Sequence, residues 1–212
     1  QLQFLVSLRL GLIDYGMGNL HSVRKAFYRL GKELLIVRGP KDLHECNALV
    51  LPGVGAFDPA MQCLDEIGMV PCLKNWAEEA RPLLGICLGL QLLFESSDEG
   101  NSKGLGIFKG HVHRLPYEQH ERIPHMGWAP LENKKPCPLL EHEKHSNWMY
   151  FVHSYAAIPE EIEDLAATAP FGSVGVTAVV WKGRVGACQF HPEKSSLAGE
   201  RTLNRWLIWL DS

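Results

Sequence analysis

The chain has 212 residues, of which 46% are hydrophobic and 21% charged, and its formal charge is −3. This composition excludes a disordered or collagen-like chain, and the lack of a basic excess excludes a protein that meets nucleic acid or anionic membrane over its whole surface. The length suits one domain with a core of its own.

The opening segment, Gln1 to Leu10, is apolar but lacks a basic leader and a small-residue cleavage site, so it does not read as a signal peptide. No apolar run approaches the roughly 20 residues that span a bilayer. The six cysteines, Cys46, Cys63, Cys72, Cys87, Cys137 and Cys188, form no C-x-x-C pair. They are expected to be reduced thiols, which points to a cytoplasmic compartment.

Strand-like and helix-like patterns alternate through the first half. Leu8 to Ile13 predicts a strand that ends in a turn at Asp14-Tyr15-Gly16-Met17-Gly18-Asn19. Leu20 to Leu30 predicts a helix with Val23, Phe27 and Leu30 on one face. Strands are expected at Leu34–Val37, Ala48–Leu51 and Leu83–Ile86, and helices at Ala60–Ile67, Cys72–Ala80 and Leu88–Phe94. Uninterrupted apolar strands between helices mark a parallel sheet covered on both faces.

The second half has shorter connections. Ile107–Arg114, Met149–Tyr155, Leu165–Thr168, Val174–Trp181 and Val185–Phe190 read as strands, some of them antiparallel, and Leu197–Leu210 as a closing helix. The expected fold is α/β: a single domain, residues 1–212, with a mixed, mostly parallel sheet flanked by helices.

Gly85-Ile86-Cys87-Leu88-Gly89 places a cysteine at a strand-to-helix turn. A nucleophile on such an elbow stands clear of the sheet, and flanking glycines let neighbouring backbone pass close. The helix starting at Leu88 turns its positive end toward the sulfur, which favours a negative charge there. Its Leu88 N–H is a candidate oxyanion donor.

A base is offered by Gln189-Phe190-His191-Pro192-Glu193. The preceding strand carries His191 to the same sheet edge as the elbow. Pro192 is expected to keep the segment extended, so that His191 and Glu193 lie on one side about 6.5 Å apart. The carboxylate then orients the imidazole. Pro52-Gly53-Val54-Gly55 follows the third strand, and its glycines permit a peptide near Val54 to aim an N–H into the cleft as a second oxyanion donor.

These segments resemble the three signatures of class I, triad-type glutamine amidotransferases, whose flavodoxin-like domain matches this chain in length. Three more segments narrow the likeness to the glutaminase subunits of imidazole glycerol phosphate synthases. They are Ile13 to Asn19, Pro124-His125-Met126-Gly127-Trp128 and Tyr150-Phe151-Val152-His153-Ser154-Tyr155. The resemblance implies that Cys87 attacks the glutamine amide, that His191 moves the protons and that Glu193 orients His191. It implies an oxyanion hole at Gly53, Val54 and Leu88, and glutamine held by Gly55, Gln91, Glu99, Ser154 and Tyr155. It implies no cofactor.

Ammonia released into neutral water is mostly protonated and unreactive, so it must pass directly to a second active site. The chain has no eightfold strand–helix pattern. The resemblance implies that the acceptor site is on a (β/α)8-barrel cyclase subunit, met through Asn19, Met126, Trp128, Tyr150 and Lys194. Ala129 stands where the family often has asparagine.

Other readings are a glutaminase serving anthranilate or guanine nucleotide synthesis and a non-catalytic subunit of the same fold. Leu90, where those relatives commonly have histidine, argues against the first, and the intact Cys87, His191 and Glu193 against the second. A metal site is not expected. His111 and His113 share a strand face and His142 and His145 are three apart, but no nearby residue completes a ligand set.

Overall fold

The computed structural model describes residues 7–142 and 147–212. The first half runs β1 (Leu10–Ile13), α1 (Leu20–Arg29), β2 (Leu34–Val37), β3 (Ala48–Leu51), α2 (Phe57–Glu66), α3 (Met69–Glu78), β4 (Leu83–Ile86) and α4 (Leu88–Leu92). The second half runs β5 (Ser96–Ser97), β6 (Gly110–Arg114), β7 (His125–Pro130), β8 (Glu132–Asn133), β9 (Trp148–His153) and β10 (Tyr155–Pro159). It closes with β11 (Leu165–Phe171), β12 (Val174–Lys182), β13 (Val185–Cys188) and α5 (Ser196–Leu210).

The main sheet has the order β2-β1-β3-β4-β13-β12-β11-β8. Strands β2 to β13 in that order are parallel, and β12, β11 and β8 continue it antiparallel. Strands β1, β3, β4 and β13 are buried at every position, which is why they are continuous apolar runs.

Alternate residues feed opposite cores. Leu10, Leu12, Ala48, Val50, Leu84 and Ile86 meet Val23 and Phe27 of α1 and Leu203 and Trp206 of α5. Ile13, Leu49, Leu51 and Leu83 meet Phe57 and Leu64 of α2 and Leu73 and Trp76 of α3. Across the first of these layers Phe27 and Trp206 pack edge to face, 6.2 Å between centroids.

One expected strand needs correction, and one strand was not expected. The predicted strand Met149–Tyr155 is two strands: β9 pairs with β7, whereas β10 joins β6 and β5 in a separate three-stranded sheet. The break falls at Ser154. Strand β7 went unread because Pro124, Gly127 and Pro130 interrupt its apolar alternation; pairing with β9 from His125–His153 to Pro130–Trp148 fixes it instead. All six cysteines are free thiols, as expected.

Candidate active site

Strands β3, β4 and β13 lie side by side and end together, so Pro52–Gly55, Cys87 and Gln189–Glu193 emerge at one edge of the sheet. The carboxyl edge of a parallel sheet is where such folds bind ligands.

Cys87 has φ 55° and ψ −114°, a positive φ that non-glycine residues rarely adopt. The sharp elbow is held by the Cys87 N–H, which donates to the Cys188 carbonyl at 2.8 Å. It also demands both flanking glycines. A Cβ on Gly89 would overlap the Leu51 carbonyl oxygen, and one on Gly85 would meet the Gly89 backbone at 3.0 Å.

His191 Nδ1 lies 2.7 Å from Glu193 Oε1, and both side chains are almost fully enclosed. The contact is the expected one, but the backbone differs. Pro192–Lys194 is a single 3-10 turn with His191 as its N-cap. Proline at the first position of a turn has no N–H to lose, so it starts the turn instead of holding the chain extended. His191 is anchored on two sides: its N–H donates to the Tyr150 carbonyl at 3.0 Å, and its carbonyl accepts from Ser195 Oγ at 2.6 Å. Ser195 is fully buried and also accepts from the Tyr150 N–H at 2.9 Å. Helix α5 closes over this turn at Gly199, where a Cβ would overlap the Pro192 carbonyl oxygen.

The other imidazole nitrogen, Nε2, is buried and has no hydrogen-bond partner among the described residues, and Cys87 is one of the groups that act on the charge of the ring. Burial alone would lower the His191 pKa. Interaction with Cys87 and then with Glu193 outweighs burial and raises it to about 10. An imidazole held beside the sulfur is placed to exchange a proton with it.

Cys87 and His191 open into a cavity of about 300 Å³. Its wall includes every residue expected to hold glutamine: Gly55, Gln91, Glu99, Ser154 and Tyr155. Val54 and Leu88 line it too. Gln91 Nε2 donates to the Tyr155 carbonyl and to Gln189 Oε1, each at 3.0 Å, which leaves its own Oε1 as acceptor. Glu99 accepts from the Phe57 N–H at 3.3 Å, and burial raises its pKa. A larger hollow of about 880 Å³, bordered by Lys74, Lys103 and Lys182, contains none of the triad.

The oxyanion donors are not both free. The Leu88 N–H donates to the Gly53 carbonyl at 3.2 Å. Within a trans peptide the C=O and N–H point opposite ways, so the Val54 N–H faces away from Leu88. The loop before it is tied down, since Tyr15 Oη donates to the buried Pro52 carbonyl at 2.6 Å.

Reading residues one at a time missed several contributors. Gln189 is fully buried, with Nε2 3.9 Å from Cys87 Sγ. His153 lines the cavity and donates from Nδ1 to the Tyr155 carbonyl at 2.8 Å, and burial lowers its pKa to about 4. Tyr15, His153 and Gln189 all lie inside the quoted motifs, which was the available signal; Ser195 lies two residues past the last of them.

The residues expected at a partner surface cluster around the same edge. Met126 and Trp128 on β7 are 64% and 47% exposed. The Trp128 and Tyr150 rings meet edge to face at 5.9 Å. Lys194 and Asn19 are exposed, and Asn19 Oδ1 also caps α1 by accepting from the Ser22 N–H at 3.2 Å. Trp148, 50% exposed on the neighbouring strand β9, was not foreseen. Ala129 is buried among apolar side chains, so an asparagine is not needed to satisfy a neighbour there. His142 is exposed, and His145 lies outside the described residues.

The family model for glutamine amidotransferase class-I matches residues 11–209. Imidazole glycerol phosphate synthase subunit HisH 2 of Prochlorococcus marinus (strain MIT 9313) is 69% identical over 204 residues, 96% of each chain. Subunit HisH of Synechococcus sp. (strain CC9902) is 62% identical over 205 residues, 97% of this chain and 96% of that one. Among solved structures, a glutamine amidotransferase matches with TM-score 0.69 at 23% identity, over 95% of this chain and 98% of that one. The PurLQS structure from Thermotoga maritima matches with TM-score 0.74 at 18% identity, over 96% of this chain and 99% of that one. At those identities the likeness concerns the fold.

Proposed function

The chain belongs to the class I glutamine amidotransferase family, and from that premise we propose that it is the glutaminase subunit of an imidazole glycerol phosphate synthase, the enzyme whose subunit HisH its 62–69% identical relatives are named as. The observation that carries the chemistry is that Cys87 and His191 both line one cavity of about 300 Å³, with Glu193 bonded to the far nitrogen of the imidazole.

His191 accepts the Cys87 proton, and the sulfur attacks the side-chain carbonyl carbon of glutamine. The imidazolium then protonates the leaving nitrogen, and ammonia departs. Water, with His191 again as base, cleaves the thioester and gives glutamate. Glu193 fixes the tautomer and stabilises the imidazolium. Glu99 is the anionic partner for the substrate ammonium, and Gln91 Oε1 accepts a second N–H. Gly55, Ser154 and Tyr155 shape the wall.

The tetrahedral intermediate needs two N–H donors. Leu88 supplies one only after the Gly53 carbonyl leaves it. Rotation of the Gly53–Val54 peptide removes that carbonyl and brings the Val54 N–H in its place. One movement therefore vacates the first donor and supplies the second. Glycines at 53 and 55 keep the rotation cheap. Docking of a (β/α)8-barrel cyclase with its ligand, against Met126, Trp128 and Tyr150, is the event that favours the rotated state. Ammonia then passes to the cyclase site, where it completes imidazole glycerol phosphate and an aminoimidazole carboxamide ribotide.

The test is glutamine-dependent product formation with the cyclase added. Cys87→Ala should abolish glutamine use and leave supplied ammonia effective. Glutamine use that survives in Cys87→Ala would refute this reading.

A further inference from the structure

The geometry points to a binding site for a divalent transition-metal ion, of the zinc type, formed by Asp98, His111 and His113. It lies outside the catalytic cavity and is independent of the triad's chemistry. His111 and His113 are two apart on β6, so their side chains share one face. Strand β5 runs parallel beside it with Ser96 opposite His111. The Asp98 N–H extends the pairing by donating to the Val112 carbonyl at 2.8 Å. Ser96 and Asp98 therefore face the two imidazoles.

The contacts follow from this register. Asp98 Oδ1 lies 2.6 Å from His111 Nε2, and Oδ2 lies 3.2 Å from His113 Nδ1. One donor atom from each residue fits within 4.8 Å of the others. A tetrahedral ion with bonds of about 2.0–2.1 Å separates its donors by roughly 3.4 Å. Small side-chain rotations thus convert the hydrogen-bonded cluster into a coordinating one. Two imidazoles and a carboxylate with an open fourth position suit zinc, and oxygen-seeking calcium or magnesium poorly.

A second observation points the same way. Ser96 Oγ is 2.5 Å from His111 Nδ1. An outer hydrogen bond on the nitrogen away from the ion is the usual companion of a metal-bound histidine, because it fixes the ring and directs the other nitrogen. The residue after Asp98 is Glu99, whose N–H donates to Ser97 Oγ at 3.1 Å. An ion held by Asp98 braces the turn that brings Glu99 to the cavity.

The experiment is a zinc titration of the full-length chain against a competing chromophoric chelator, with cobalt(II) as a spectroscopic probe. Free thiols bind these ions as well, so the comparison is between wild type and His113→Ala or Asp98→Asn. Circular dichroism of each metal-free variant confirms that it folds. Wild type should take up one equivalent more than either variant. The cobalt difference spectrum should show visible ligand-field bands without thiolate charge transfer. Ser96→Ala, which keeps all three ligands, should weaken zinc about 10–100-fold. Equal uptake by wild type and both variants overturns the site, and thiolate charge transfer in the difference spectrum reassigns the ion to a cysteine.

Discussion

The Leu88 N–H donates to the Gly53 carbonyl at 3.2 Å, so the peptide expected to build the oxyanion hole fills it instead. The alkylation of Cys87 by a small electrophile does not need that hole, whereas attack on an amide does. The isolated chain should therefore be alkylated readily at Cys87 yet turn over glutamine at least tenfold more slowly than with cyclase and its ligand. Steady-state glutamate release, with and without the partner, checks this; equal rates would remove the gating role of the peptide.

Tyr15→Phe removes the donor to the buried Pro52 carbonyl. A buried carbonyl left unsatisfied costs about 1–3 kcal/mol. Urea denaturation should show that loss as a lower midpoint with unchanged slope. The loop also loses its anchor, so the ratio of partner-stimulated to basal turnover should fall.

His191 is held up to about 10, with Cys87 and Glu193 as the raising influences. A raised histidine is charged below its folded pKa and loses its proton as pH rises through it. The imidazolium proposed to protonate the leaving ammonia should thus persist to the alkaline edge of the rate profile. Glu193→Gln removes one raising influence. Its alkaline limb should move to lower pH, with kcat lower by about 10²–10⁴-fold. A pH series of kcat, not one rate, is the measurement.

His153 runs the other way, because burial lowers it to about 4. Between its unfolded value near 6.5 and about 4, the unfolded chain binds the proton and the folded chain does not. Stability is therefore complete above roughly pH 6.5 and is lost as pH falls toward 4. The depression corresponds to about 3 kcal/mol. His153→Gln should lose less stability than wild type between pH 7 and pH 4.5 in denaturant titrations. Parallel losses in the two proteins would contradict a buried neutral imidazole.

Trp128 is half exposed beside Tyr150, whose carbonyl holds the His191 N–H. Aromatic anchors at an interface typically contribute about 2 kcal/mol or more. Trp128→Ala should weaken cyclase binding at least tenfold by calorimetry. Alkylation of Cys87 in the isolated chain should be unchanged.

Much of the fold was legible because it obeys local rules. The runs Ala48–Leu51 and Leu83–Ile86 are strands at those residues, since positions buried on both faces leave an unbroken apolar signature; Leu34–Val37 is a strand too, although it is an edge strand with Leu35 exposed. The small sheets were harder to read. Strand β7 follows Pro124, contains Gly127 and ends on Pro130, and only its ladder with β9 defines it. The Met149–Tyr155 run looks continuous because its apolar pattern does not register that Ser154 passes the chain from one sheet to another.

The site divides in the same way. The sequence alone singled out the side chains proposed to do the chemistry. Cys87 between glycines, His191 two residues before Glu193, and a glycine-rich loop after β3 are local patterns with local causes. Only the tertiary structure decided the state in which those groups stand. A peptide's orientation depends on what faces it, and Gly53 meets Leu88, which is 35 positions further along the chain. Likewise Asp98 reaches His111 and His113 because two strands lie parallel, and hydrogen bonding between distant segments leaves no period in the sequence to read.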